Sequence, residues 1–176
     1  MRLRKAAAKS HITYAKIWCV FDRDPVAGTE VRQDDAIARN FRRAFDLART
    51  SPGIAIIWAN ECFELWYLLH FAYQNTPISR ERIYKRLSQP EPDGLGKKYD
   101  KSDTSVFEAL KGDRRRTAKK NSKTLLDSYG GEVKPADDNP STNIHELIIV
   151  LEQLQELGKA EEDEKSATEE KDPKGA

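Results

Sequence analysis

Cysteine is scarce in this sequence. Cys19 and Cys62 are the only two, they form no CxxC pair, and both lie inside apolar segments. That excludes a disulfide framework and predicts two buried, reduced thiols in a cytoplasmic protein. Long hydrophobic runs are missing as well, and none approaches the roughly 20 residues that span a bilayer. The N-terminus, MRLRKAAAKSHITYAK, is basic but lacks the apolar stretch of a signal peptide, so an amphipathic helix is expected there. An excess of one charge is absent too. With 30 Lys and Arg against 29 Asp and Glu the formal net charge is +1, so overall charge does not indicate a nucleic-acid partner and a local patch would have to. No internal repeat is present. What remains is a chain of 176 residues, 38% apolar and 34% charged, long enough for one domain with a modest core.

The apolar residues that are present alternate between two periods. KIWCVF (16–21) is short, β-branched and aromatic, and apolar on both faces, as a buried parallel strand is. Pro25 and Gly28 then punctuate a loop. From Gln33 to Arg49 the apolar residues recur at helical spacing, with Asp34 and Asp35 opening the segment and Arg49 closing it, the polarity that a helix dipole favours. IAIIWA (54–59) reads as a second buried strand, so strand, helix and strand form a βαβ unit with a parallel sheet. NECFELWYLLHFAY (60–73) predicts a buried helix with Asn60 as its N-cap. Further helices are expected over 79–88, over 103–128 with a break, and over 143–157, where Asn143 and Glu146 suit a capping box. Ile144, Leu147, Ile148, Leu151 and Leu154 share one face of that last helix. Two Pro/Gly-rich loops, 89–103 and 130–142, separate these helices. The predicted organisation is an α/β core over 1–75, a helical part over 76–157 and a charged, disordered tail over 158–176.

Several residues carry potential chemistry. Asp22 and Asp24 stand at the end of the first strand, where positions i and i+2 point to the same side and both carboxylates can converge on one cation. Ligands of open α/β sheets collect beyond the carboxyl ends of the strands, and Mg²⁺ suits such a pair with waters and phosphate oxygens. The bland alternative is a solvated turn. Glu64 is the one charged residue between Cys62 and Tyr73. A carboxylate in that apolar setting must be paired or metal-bound, unless it reaches solvent or Arg23. His70, on the same segment, reads as a hydrogen-bonded core residue, and His11 and His145 have no partners at ligand spacing. KGDRRRTAKKNSK (111–123) holds seven Lys/Arg and one Asp. On a helix, Arg114, Arg115, Arg116, Lys119 and Lys120 would form a positive surface for phosphates, or simply a solvated face.

Taken together, IWCVFDRD, a helix, IAIIWANECFELWYLLHF and the later NPSTNIHELI resemble the RloB-like family of bacterial phage-defence proteins over about residues 14–157. CFELWYLLHF is the specific part. The resemblance implies a Toprim-like fold, an AAA-type ATPase partner in abortive-infection or restriction-linked systems, and a nuclease centre using Mg²⁺ or Mn²⁺ on DNA or RNA. It implies Asp22 and Asp24 as metal ligands and Glu64 as a third catalytic carboxylate. Two departures stand out. The family pattern carries a glutamate after an earlier strand, and here no acidic residue precedes Asp22; Glu61 also occupies a position usually held by proline. A truncated product, a mis-assigned start and a degenerate copy all accommodate the missing glutamate, and its loss would remove the general base. Whether the chain is an enzyme is thereby left open. The alternatives are a Toprim-type nuclease and an inactive remnant that binds nucleic acid or the ATPase. A weaker third is a dehalogenase-like phosphatase using Lys134 with Asp137 and Asp138, which lie in a Pro-rich loop.

Overall fold

The computed structural model describes residues 16–23 and 36–169. The expected N-terminal helix, Asp24, Pro25, Gly28, and the Asp34–Asp35 helix opening lie outside the described residues. The fold is mixed α/β. β1 (Ile17–Asp22) leads through α1 (Ala36–Arg49) to β2 (Ile54–Asn60), and β1 and β2 pair in parallel from Ile17↔Ile54 to Asp22↔Ala59. The βαβ expectation therefore holds. α1 lays its apolar stripe on one sheet face, where the Phe21 ring meets Phe41 edge-on with centroids 5.1 Å apart and Phe45 meets Trp58 at 5.5 Å.

The opposite face carries the main core. Ile57 and Ala59 pack there with residues of α2 (Glu64–Leu68), α3 (Arg80–Leu87), α5 (Asp113–Asp127) and the start of α6 (Ile144–Glu169). α4 (Ser105–Ala109) precedes α5, and the break expected between them falls at Gly112, whose φ of +66° is left-handed. Ser79 caps α3 by accepting from the Arg82 N–H at 3.4 Å.

Four expectations require correction. Cys62 is buried, but Cys19 is exposed, and β1 is less covered than its composition suggests, with Val20 51% exposed. β1 pairs with β2 alone among the described strands, and the α1 aromatics reach Phe21 rather than Cys19. Asn60 is no N-cap: it ends β2 and donates from Nδ2 to the Pro135 carbonyl at 3.1 Å, and the helix after it contracts to Glu64–Leu68. The last helix does not stop at 157 but runs past Gly158 to Glu169, through Ala-, Glu- and Lys-rich sequence of high helix propensity. Of its apolar stripe, Ile144 and Ile148 are buried, whereas Leu151 and Leu154 are 49% and 58% exposed, because the core ends within its first turns.

The third strand, β3 (Ser141–Thr142), was not foreseen. It pairs antiparallel with the end of β2, through Ala59↔Thr142 and Asn60↔Ser141. Asn143 extends this short strand with its side chain. Its Nδ2 donates to the Ile56 carbonyl at 3.0 Å and its Oδ1 accepts from the Trp58 N–H at 2.9 Å, as a backbone amide would. A buried side-chain amide thus satisfies a strand edge that two residues of backbone cannot reach. Nδ2 also meets Glu146 at 3.3 Å, so the expected Asn143–Glu146 pair forms while the Asn143 oxygen serves the sheet rather than the helix start.

Candidate functional site

Because β1 and β2 are parallel and in register, their carboxyl ends coincide. Asp22 lies opposite Ala59, and Arg23 carries the pairing one residue further by donating its N–H to the Ala59 carbonyl at 2.9 Å. Strand alternation sets Asp22 on the same face as Ile57 and Ala59, the face covered by the helical half. Asp22 is half-buried, and the cavity of about 260 Å³ that it borders lies at the strand end on the α1 side, lined by Phe21, Arg23, Ile37, Asn40, Phe41 and Ala44.

β2 delivers the chain to the same edge. Beyond it the Asn60–Glu61 peptide is cis, and Cys62 and Glu64 follow within the core. Glu64 is 2% exposed. Its Oε1 accepts from two tyrosine hydroxyls, Tyr84 at 3.2 Å and Tyr99 at 3.0 Å. Its Oε2 is equally buried and accepts no hydrogen bond among the described residues. Burial, reinforced by the Glu64 charge, pushes both tyrosine hydroxyls well above their usual range, so they remain donors. Burial likewise pushes the Cys62 thiol up, with the Glu64 carboxylate adding strongly and Asp22 contributing less. Cys62 therefore feels both carboxylates and stays a protonated thiol, which is a poor metal ligand.

The neighbouring polar groups have structural work. Arg23 is 1% exposed and donates from Nε to the Ala136 carbonyl at 2.7 Å, which with the Asn60–Pro135 bond fastens the 132–138 loop to the sheet edge. Glu64 thus accepts from the two tyrosines and lies against the Cys62 thiol, shielded from solvent. Glu61 accepts from the Arg80 N–H at 3.1 Å and from Asn139 Nδ2 at 3.2 Å, tying α3 to the loop before β3. The fastened loop also holds the phosphatase candidates. Asp137 pairs with Arg42, and Asp138 accepts from the Lys134 N–H at 2.6 Å, so both carboxylates are engaged within the chain. His70 meets its expectation: it is 3% exposed, and its Nδ1 bonds the Trp66 carbonyl at 2.8 Å.

The donor set can be tested against a divalent cation. Asp22 and Glu64 are hard oxygen donors, and the buried Oε2 of Glu64 is an acceptor that a cation would satisfy. No group of three His, Cys, Asp or Glu side chains is arranged to hold a metal among the described residues, which exclude Asp24.

A family model described as RloB-like protein matches residues 2–151. The chain belongs to the RloB-like family. No curated protein and no solved structure matches it. No helix among the described residues is long and apolar enough to cross a membrane.

In this RloB-like chain the basic stretch is divided between two tasks. Arg115 is nine-tenths buried, stacks on the Phe107 ring at 4.3 Å and donates to the Phe107 carbonyl at 2.7 Å. Arg114 lies over the Phe71 ring at 4.6 Å, and Lys119 is paired with Glu152 at 2.6 Å. These three hold α5 against its neighbours. Arg116, paired with Asp113 at the surface, and Lys120 are the exposed members. Sequence reasoning missed Tyr84 and Tyr99 altogether. Their ring chemistry suits any half-buried position, and nothing in local spacing links them to Glu64.

Proposed function

We propose that this RloB-like protein is a Mg²⁺- or Mn²⁺-dependent, Toprim-type nuclease of a bacterial phage-defence system, acting on nucleic acid beside an AAA-type ATPase partner. The observation that carries the reading is Glu64: a carboxylate 2% exposed with one oxygen unsatisfied, four residues beyond the end of the strand that pairs with Asp22. A buried carboxylate oxygen with no donor is costly to maintain in a structural role, and a cation would offset that cost. Asp22 and Asp24 would hold the metal, with Glu64 completing or orienting its shell. When bound, the metal supplies Lewis-acid stabilisation of charge on the scissile phosphate. The chain's own residues position and enclose: Tyr84 and Tyr99 hold Glu64, Arg23 and Asn60 fasten the loop over the sheet edge, and exposed Arg116 and Lys120 contact backbone phosphates.

The test is Mn²⁺ titration of the wild type and of Asp22→Ala with Asp24→Ala, together with cleavage assays on DNA and RNA. Binding that the double substitution leaves unchanged would end the metal-site reading. The second reading is a catalytically inactive module that binds nucleic acid or the ATPase. It draws support from the exposed Arg116 and Lys120, which can contact phosphates without a metal. Nucleic-acid binding without cleavage in Mn²⁺ would favour it.

A further inference from the structure

α5 and α6 enclose a basic cleft between them. Arg115 and Lys119 lie one turn apart on α5, with Lys111 four residues before Arg115, and α6 adds Glu152, Gln155 and Lys159 at helical spacing. Together with Gly112 and Arg116 these residues line a space of about 450 Å³. Five of the eight are basic and one is acidic, a local charge excess that the whole chain, at +1, does not show.

The chain's own acids do not use up that excess. Glu152 is engaged by Lys119 at 2.6 Å. Lys111 pairs with Glu108 and Arg116 with Asp113, but all four side chains are exposed, and ion pairs of that kind are weak enough to exchange for another anion. Arg115 is held by neutral groups alone, the Phe107 ring and carbonyl, and its buried Nε has no partner among the described residues. Its charge is therefore fixed in place and uncompensated where water screens it little. Lys159 lines the cleft from the exposed length of α6. Gly112 adds the N-terminus of α5, which has no side-chain cap and carries the positive end of the helix dipole. The lining offers neither an aromatic ring nor an aliphatic face on which a nucleobase could stack, so a ligand there is held by its phosphates.

Resting on the nucleic-acid part of the reading above and independent of its metal, we propose that the α5–α6 cleft is a phosphate-binding subsite for a nucleic-acid backbone. Lys111, Arg116 and Lys159 contact phosphate oxygens, and Arg115 is the fixed positive charge beside them. Glu152 moderates the site by holding Lys119. Such a subsite responds to backbone charge and not to base sequence.

The experiment is fluorescence anisotropy of short labelled all-uridine and all-adenosine RNAs, and of the matching single-stranded DNAs, bound to the full chain over a range of salt concentrations. It compares the wild type, Lys111→Ala with Lys159→Ala, and Glu152→Gln, with urea unfolding of each in parallel and tripolyphosphate as a second probe. The lysine double variant is expected to keep wild-type stability, to weaken binding of both sequences alike and to flatten the log–log salt slope by roughly 1.4. Glu152→Gln frees Lys119 and is expected to bind more tightly than the wild type. A lysine double variant with wild-type affinity and slope, or a Glu152→Gln variant that binds more weakly, would overturn the cleft as the subsite while leaving nucleic-acid binding elsewhere on the chain. A wild type that binds neither RNA nor DNA would overturn the nucleic-acid reading itself. Lysine-dependent binding of tripolyphosphate in that case would assign the cleft to a free polyphosphate and overturn the backbone as its ligand.

Discussion

Lowering the pH from 7 to 5 should cost this protein about 2 kcal/mol of stability through His70 alone. His70 is 3% exposed, and its Nδ1 bonds the Trp66 carbonyl, which leaves Nε2 as a buried nitrogen with no partner. Protonation would place an N–H there with nothing to receive it, near the Arg115 and Arg114 charges. Burial first, and those arginines second, pull the imidazole from an ordinary 6.5 down to about 4, against the opposing effect of the Trp66 bond. Because the folded value lies below the unfolded one, the unfolded chain binds more protons between those two pH values. The contribution is therefore complete above about 6.5, falls as pH drops through the window and levels off below about 4. A shift of that size corresponds to about 3 kcal/mol in full, of which about 2 kcal/mol is lost by pH 5. His145, also pulled down by burial, adds a slope of the same sign, so the wild type alone cannot isolate His70. The assay is urea unfolding at pH 7 and pH 5 for the wild type and His70→Gln, which retains His145. The difference between the two pH dependences measures His70 whatever the substitution does to absolute stability. Equal pH dependence in the two proteins would refute the assignment.

Four further outcomes follow from the packing. Asn143→Ala removes both bonds to β2 and should lower stability by about 2–3 kcal/mol in urea unfolding, and an unchanged midpoint would show that the side chain does not serve as strand backbone. Arg115→Ala should destabilise the fold by loss of the Phe107 contacts. Arg116→Ala with Lys120→Ala should leave stability intact and flatten the log–log salt dependence of single-stranded RNA binding by roughly 1.4, and a slope identical to the wild type would exclude them as phosphate contacts. A thiol reagent should modify Cys19 in the native protein and Cys62 only after unfolding, because Cys62 is buried and its thiol is pushed up; equal rates would contradict the packing around Cys62.

The sequence by itself determined the local elements and the family. Period-two and helical patterning identified β1, α1 and β2, their parallel arrangement, and the helical half with its break before α5, because those signals lie within a few neighbouring residues. The apolar company of Glu64 announced a carboxylate under constraint, and the CFELWYLLHF context pointed to the RloB-like family. Tertiary structure decided what each polar group faces. Ser141 and Thr142 form a strand only because β2 offers an edge, and Asn143 completes it through a side chain whose partners lie 85 and 87 residues away. A run of arginines looks alike in sequence, but Arg115 turns inward to Phe107 while Arg116 stays at the surface. Most of all, the tyrosines on Glu64 come from 20 and 35 residues further along the chain, so their convergence on one oxygen depends on the docking of α3 and the 89–103 loop. Contacts of that kind arise from packing between elements, which local sequence periodicity does not encode.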